Sequence, residues 1–152
     1  MQIKDFLLPR HVRTDIRSTD KISLLRELSR DASAALNLPV EAIAAALLKR
    51  EALGSTGMGE GIAIPHARVA GLTRPFGLFA RLKQPIDFEA VDGQPVDIVF
   101  VLLMPAESDG DINALACVAR WLRDPRALDE LRRAKDSNSI YGQLTAKADQ
   151  AR

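Results

Sequence analysis

The sequence predicts an α/β fold: a single domain with a mixed central β-sheet flanked by helices on both sides. Three observations predict it. Val96 to Met104 is an almost unbroken apolar run rich in β-branched residues, the pattern of a strand covered on both faces. Phe76 to Leu82 alternates Phe76, Leu78, Ala80 and Leu82 against Gly77, Phe79 and Arg81, which suits a strand with one buried face. Before and after these strands, apolar residues recur at helical spacing, so helices are available for two covering layers.

Taken in order, Ser18-Thr19-Asp20 offers N-caps for a first helix with Ile22, Leu25, Leu28, Ala32 and Leu36 on one stripe, ending at Asn37-Leu38-Pro39. A second helix follows Pro39, which a first helical turn tolerates. It carries Ile43, Leu47 and Leu48 and is expected to leave through a left-handed Gly54, with Arg50 near its C-terminal end. The stretch Gly54 to Gly61 contains four glycines and no period, and is read as a loop. Ile62-Ala63-Ile64 is a short strand that Pro65 stops, because proline pushes its predecessor into an extended conformation and cannot donate to a ladder. His66 is then presented at a strand end. Beyond the two long strands, Pro105 to Gly110 reads as a loop. Ile112, Leu115, Ala119 and Leu122 form a third helix, stopped at Asp124-Pro125; Leu128 and Leu131 begin a fourth. A closing helix from Ser139 to about Ala148 turns Ile140 and Leu144 inward. One domain over residues 1–152 is expected, with an ordered core over about 2–146 and a polar tail.

Composition narrows the function. Of 152 residues, 47% are hydrophobic and 27% charged, as in a globular core. The 21 Lys and Arg against 20 Asp and Glu leave +1, without the basic surplus of a nucleic-acid binder. One Cys, Cys117, cannot build an internal disulfide framework, and with two His it provides too few soft ligands for a structural zinc site. No metal or other cofactor is implied. The longest apolar runs, Ala42 to Leu48 and Ile98 to Met104, fall short of the ~18 residues of a membrane span, and Met1 to Arg17 lacks the apolar segment of a secretory signal. A cytoplasmic protein that does not insert into membranes is expected.

Histidine is the scarce reactive residue. His11 stands in a polar opening segment and reads as a solvated surface imidazole. His66 follows a glycine-rich loop and an Ile-Pro stop, so backbone N–H groups around Gly57, Gly59 and Gly61 can form a cradle for a group carried on its ring. Gly57-Met58-Gly59-Glu60-Gly61 leads into a strand rather than a helix N-terminus, so the dinucleotide-binding fingerprint fails on spacing and context. No Lys-Ser or Lys-Thr pair follows the glycines, which excludes a P-loop. A backbone cradle beside one imidazole fits phosphoryl transfer, for which a neutral imidazole is a competent nucleophile near neutrality.

The run from Arg50-Glu51-Ala52-Leu53-Gly54-Ser55-Thr56-Gly57 to Gly61-Ile62-Ala63-Ile64-Pro65-His66-Ala67-Arg68 resembles the active-site segment of the type-2 IIA domains of the bacterial phosphoenolpyruvate-dependent phosphotransferase system. It is most like the nitrogen-regulatory IIA branch. The similarity extends from Leu7-Leu8-Pro9 through Val99 to Leu103 and on to Arg120-Trp121-Leu122.

The resemblance implies that His66 accepts a phosphoryl group from a small histidine phosphocarrier protein of the HPr or NPr kind, and that the phosphorylation state regulates target proteins by contact. Arg50 matches the family's active-site arginine, whose planar fork can hold phosphoryl oxygens; its other reading is a cation favourable to the helix macrodipole. Ser55 and Thr56 are candidate hydroxyl donors to the same oxygens, or serve the turn itself. The family has a second histidine opening the helix after the central strand. Here Asp111 stands in that place, where it reads as an N-cap, and where its charge would repel a phosphoryl dianion. Ala67 replaces the glycine common after the active histidine. Two other functions stay open: an interaction module whose phosphotransfer is weak or lost through Asp111, and a sugar-specific IIA subunit of mannitol or fructose type.

Overall fold

The computed structural model describes residues 1–107 and 112–146. After two turns of 3-10 helix at Ile3–Asp5 and Pro9–His11, the chain runs β1 (Val12–Ile16), α1 (Lys21–Leu36), α2 (Val40–Ala52), β2 (Gly57–Gly59), β3 (Ile62–Ala63), β4 (His66–Val69), β5 (Phe76–Ile86), β6 (Val96–Pro105), α3 (Ile112–Leu122), α4 (Pro125–Arg133) and α5 (Ser137–Thr145). Strand order is β1-β5-β6-β3-β2, with β4 also paired to β6. β5 and β6 are antiparallel, as are β2 and β3; the β1–β5, β3–β6 and β4–β6 pairs are parallel. The sheet is therefore mixed, as expected.

Strand β6 anchors both layers. Val99, Val101 and Leu103 alternate toward α1 and α2, where Leu24, Leu25, Leu28, Ile43 and Leu47 complete one core. Ile98, Phe100 and Leu102 face the opposite way, toward Ala114, Val118, Leu122, Leu128, Leu131, Ile140 and Leu144 of α3 to α5. Phe79 pairs with Phe100 across the β5–β6 ladder, and their rings meet edge to face at 6.2 Å.

The helices begin and end as their residues dictate. Asp20 caps α1 by accepting from the Ser23 N–H at 2.8 Å, and Asn37 closes it in the left-handed conformation at φ +58°. Pro39 occupies the N-cap of α2, one position before the first helical residue. α2 runs to Ala52, and Gly54 leaves at φ +153°, a positive value that glycine adopts readily and other residues rarely do. α5 starts at Ser137, two residues before the expected Ser139, because Asp136 caps it through the Ser139 N–H.

Two elements depart from expectation. β1 escaped the pattern because Asp15, at φ +59°, breaks its register with β5 between Arg13 and Ile16, so Val12 and Ile16 point into opposite cores. The glycine-rich stretch is a loop only in part, because its middle, Gly57–Gly59, forms a strand. Gly57–Gly59 pairs with β3 through a turn whose central residues, Glu60 and Gly61, both have positive φ (+60° and +80°), the geometry of a tight hairpin turn. Asp92 accepts the Glu60 N–H, and Arg132 donates to the Glu60 carbonyl while pairing with Asp97. Gly57 serves close approach, since a Cβ there would lie 2.8 Å from that of Ala90.

Phe79 is fully buried between its aromatic neighbour and the N-terminal core. Phe79→Ala is expected to destabilise the protein by about 3–5 kcal/mol, measured by chemical denaturation. A loss below about 1 kcal/mol, the cost of a tolerated volume-conserving swap, would show that the β5–β6 packing is dispensable.

Candidate phosphoryl-transfer site

His66 opens β4, half-buried. Its position follows from a register that passes unbroken through a proline. Ile62 pairs with Ile98, Ala63 with Val99 and His66 with Leu102, a constant offset along β6. The ladder lapses at Ile64 and Pro65, yet the Pro65 carbonyl still accepts the Leu102 N–H at 2.9 Å. Alternation along this line places His66 on the side of Ile62 and Ile64, while Ala67 and Val69 enter the α1–α2 core. The ring turns back on its own chain, and Nδ1 lies 2.8 Å from the Ile64 carbonyl oxygen. A carbonyl only accepts, so Nδ1 carries the proton and the neutral ring keeps its lone pair on Nε2.

Arg50 sits in the last turn of α2 and donates from Nη1 to the Gly54 carbonyl at 2.8 Å. That carbonyl begins the segment that returns alongside His66, because Thr56 accepts the Ile64 N–H at 3.1 Å. Both hydroxyls of this segment are committed inside the protein. Ser55 Oγ donates to the Phe88 carbonyl at 2.7 Å and accepts the Gly57 N–H at 2.9 Å. Thr56 Oγ1 donates to Glu51 Oε1 at 2.6 Å, and the Thr56 N–H donates to Glu51 Oε2 at 3.0 Å. Each hydroxyl has one proton to give, so in this arrangement neither Ser55 nor Thr56 donates to a group on the ring.

The glycines divide. Gly57 pairs with Ala63, and its N–H is occupied by Ser55. Gly59 pairs with Ile62, and Gly61 belongs to the hairpin turn. Ile62 and His66 pair with β6 residues four positions apart, which at the rise of a strand is about 13 Å. Gly59 and Gly61 thus shape the far end of the hairpin and do not cradle the ring. Asp111 lies outside the described residues, as does the polar tail at 147–152.

The sequence reading missed Glu51 and Lys21. Glu51 is 7% exposed and receives Lys21 Nζ at 3.2 Å. Burial works against the Lys21 ammonium, but its hydrogen bonds and charge contacts with Glu89 and Glu51 outweigh that and raise its pKa. The available signal was a carboxylate in the last turn of a helix, where the macrodipole disfavours it unless donors meet it. His11 also differs from expectation: its half-buried ring stacks edge-on against Phe76 at 4.9 Å. Among the described residues, no group of three or more His, Cys, Asp or Glu is placed to hold a metal ion, and no helix is long and apolar enough to cross a membrane.

Residues 5–147 match the family model described as phosphoenolpyruvate-dependent sugar phosphotransferase system, EIIA 2. The chain belongs to this family. It is 43% identical over 145 residues to a nitrogen regulatory protein of Bradyrhizobium diazoefficiens, covering 95% of each. With the nitrogen regulatory protein of Escherichia coli it shares 37% identity over 147 residues, 95% of this chain and 90% of that one. Among solved structures, the nitrogen regulatory protein IIA-Ntr of Neisseria meningitidis superposes with a TM-score of 0.89 at 31% identity, covering 94% of this chain and 99% of that one. The IIA mannitol domain of Escherichia coli shares the fold at a TM-score of 0.75 and 17% identity, covering 90% of this chain and 98% of that one.

Burial, and then the charge of Arg10, hold the His11 imidazole below its usual 6.5 against an opposing pull from Asp31. The unfolded chain therefore binds the proton first as pH falls below 6.5, and stability declines until the folded value is passed. Melting temperatures measured from pH 7.5 to 5 should fall less steeply in His11→Phe, which keeps a ring against Phe76 and removes the titration. Equal slopes would refute this origin.

Proposed function

We propose that this type-2 IIA protein accepts a phosphoryl group on Nε2 of His66 from a phosphohistidine of a small HPr- or NPr-like phosphocarrier. The phosphorylation state then controls its contacts with target proteins in the cytoplasm. The observation that carries the reading is the Nδ1–H bond to the Ile64 carbonyl, in a family of phosphotransferase domains. The ring is held in the tautomer whose Nε2 lone pair can attack phosphorus. As the new N–P bond forms, the donor's N–P bond breaks and its electron pair returns to the donor imidazole. No proton has to leave His66, so no general base is required. The positive charge that spreads over the His66 ring is met by the Ile64 carbonyl. Arg50 uses one N–H of its fork on Gly54 and has others to offer the phosphoryl oxygens. Ser55, Thr56 and Gly57 act by holding the segment between the two residues. Catalysis in such a transfer is positioning and charge stabilisation.

Similarity to nitrogen regulatory proteins along nearly the whole chain favours a regulatory role over sugar uptake. From its place in the sequence, just before Ile112, Asp111 is read as an N-cap rather than as a residue of the transfer. With Asp in the place of the family's second active-site histidine, His66 is left as the phosphoryl acceptor.

Incubation with phosphoenolpyruvate, the first enzyme of the relay and the phosphocarrier should add an acid-labile mass of about 80 Da, that of HPO₃. His66→Ala should abolish the adduct and His11→Ala should leave it intact. An unlabelled wild type, beside a control IIA labelled in the same tube, would reduce the protein to an interaction module. Arg50→Ala is expected to slow transfer about 100-fold, the scale of losing one preorganised charge contact. For Asp111→His, the transfer rate should stay within about threefold of wild type, less than 1 kcal/mol in the barrier; a tenfold rise would place Asp111 in the site.

A further inference from the structure

Among the described residues Glu51 is the most deeply buried carboxylate, and phosphoryl transfer as described gives it no task. Its two oxygens are distributed over one residue. Oε2 accepts the Thr56 N–H at 3.0 Å and Oε1 accepts the Thr56 hydroxyl at 2.6 Å, while Lys21 Nζ approaches Oε2 at 3.2 Å. Thr56 is itself buried and passes the connection on, because its carbonyl accepts the Ile64 N–H at 3.1 Å and the Ile64 carbonyl accepts Nδ1–H of His66 at 2.8 Å.

Ile64 has no place in the β3 ladder, which ends at Ala63. What orients it is Thr56 on one side and, on the other, Pro65, whose ring fixes its φ and whose carbonyl is held by Leu102. The same segment begins at Gly54, whose carbonyl is the anchor of Arg50 and whose N–H donates to the Glu51 carbonyl at 3.2 Å. The buried carboxylate thus reaches the His66 ring through Thr56 and Ile64, while the backbone of Glu51 holds the start of the segment that anchors Arg50.

Resting on the reading of His66 as phosphoryl acceptor, we infer that Glu51 is a positioning residue, setting the tautomer and orientation of the His66 ring through Thr56 and Ile64. The carboxylate accepts both bonds from Thr56 and carries the charge that meets Lys21; Gln removes that charge and can meet the Thr56 hydroxyl only by reversing the bond, donating its N–H₂ where Glu51 accepts. A ring displaced by about 1 Å loses in-line geometry, which is worth up to about 100-fold in rate.

The test uses the full-length protein with ¹⁵N-labelled histidine, so that the His66 tautomer is read by long-range ¹H–¹⁵N spectra and His11 serves as an internal reference. In wild type the His66 signals should be those of the Nδ1–H form. In Glu51→Gln they should shift toward a tautomer mixture with His11 unmoved. Transfer at saturating phosphocarrier should fall about 10- to 100-fold with little change in KM, because positioning and not docking is lost. Thr56→Val should move both readouts in the same direction, and Thr56→Ser, which restores the hydroxyl, should return them close to wild type. If Glu51→Gln does not fold, Thr56→Val carries the test.

Wild-type spectra and wild-type rate in a folded variant would overturn the inference. So would a rate that falls only with the folded fraction while the His66 signals stay fixed, the mark of a purely structural ion pair. If wild type accepts no phosphoryl group, the functional reading fails, and the spectra alone decide whether Glu51 sets the ring.

Discussion

The structure turns on a proline set in the line of chain that follows β6. Pro65 has no N–H to give, so the ladder must lapse between β3 and β4, yet its carbonyl still takes the Leu102 N–H and the register resumes unchanged at His66. A continuous strand would commit the backbone on both sides of the histidine to the sheet. The lapse instead leaves the Ile64 carbonyl available to the imidazole, and the Ile64 N–H available to Thr56. Because β6 is buried on both faces, this arrangement rests on a strand packed into both cores.

A second tier holds the first. The segment 54–57 looks free in sequence, with two glycines and two small hydroxylic residues, but its backbone and hydroxyl groups are tied to Glu51, Phe88 and Ile64. The hairpin beyond it is pinned by Asp92 and Arg132. Glycine here permits close approach more than motion: at Gly57 any side chain would strike Ala90. For a phosphoryl transfer this matters, since a rigid acceptor loses little entropy on reaching the in-line geometry.

Much of the fold was legible because its signals are local. The double-sided apolar run of β6, the alternation of β5, the caps at Asp20 and Asn37 and the proline at His66's door each act over a few residues. The misses were non-local. β1 hid because Asp15 breaks its alternation and only the two cores reveal that Val12 and Ile16 are both buried. β2 hid because glycines carry no strand propensity; its ladder is with β3, and the turn between them is pinned by Asp92 and Arg132, over 30 residues away in sequence.

The sequence by itself determined the family, the layered α/β fold and the candidacy of His66 and Arg50, because these rest on motif spacing and on periodicity, which a linear chain displays. Only the tertiary structure decided how those residues are held. Which nitrogen of His66 keeps the proton depends on a carbonyl two residues earlier folding back beneath the ring. The fate of the Ser55 and Thr56 hydroxyls depends on Phe88 and Glu51 as neighbours. The distance of Gly59 and Gly61 from the ring depends on the hairpin register. Hydrogen bonds choose among partners by proximity in space, and proximity is what folding supplies.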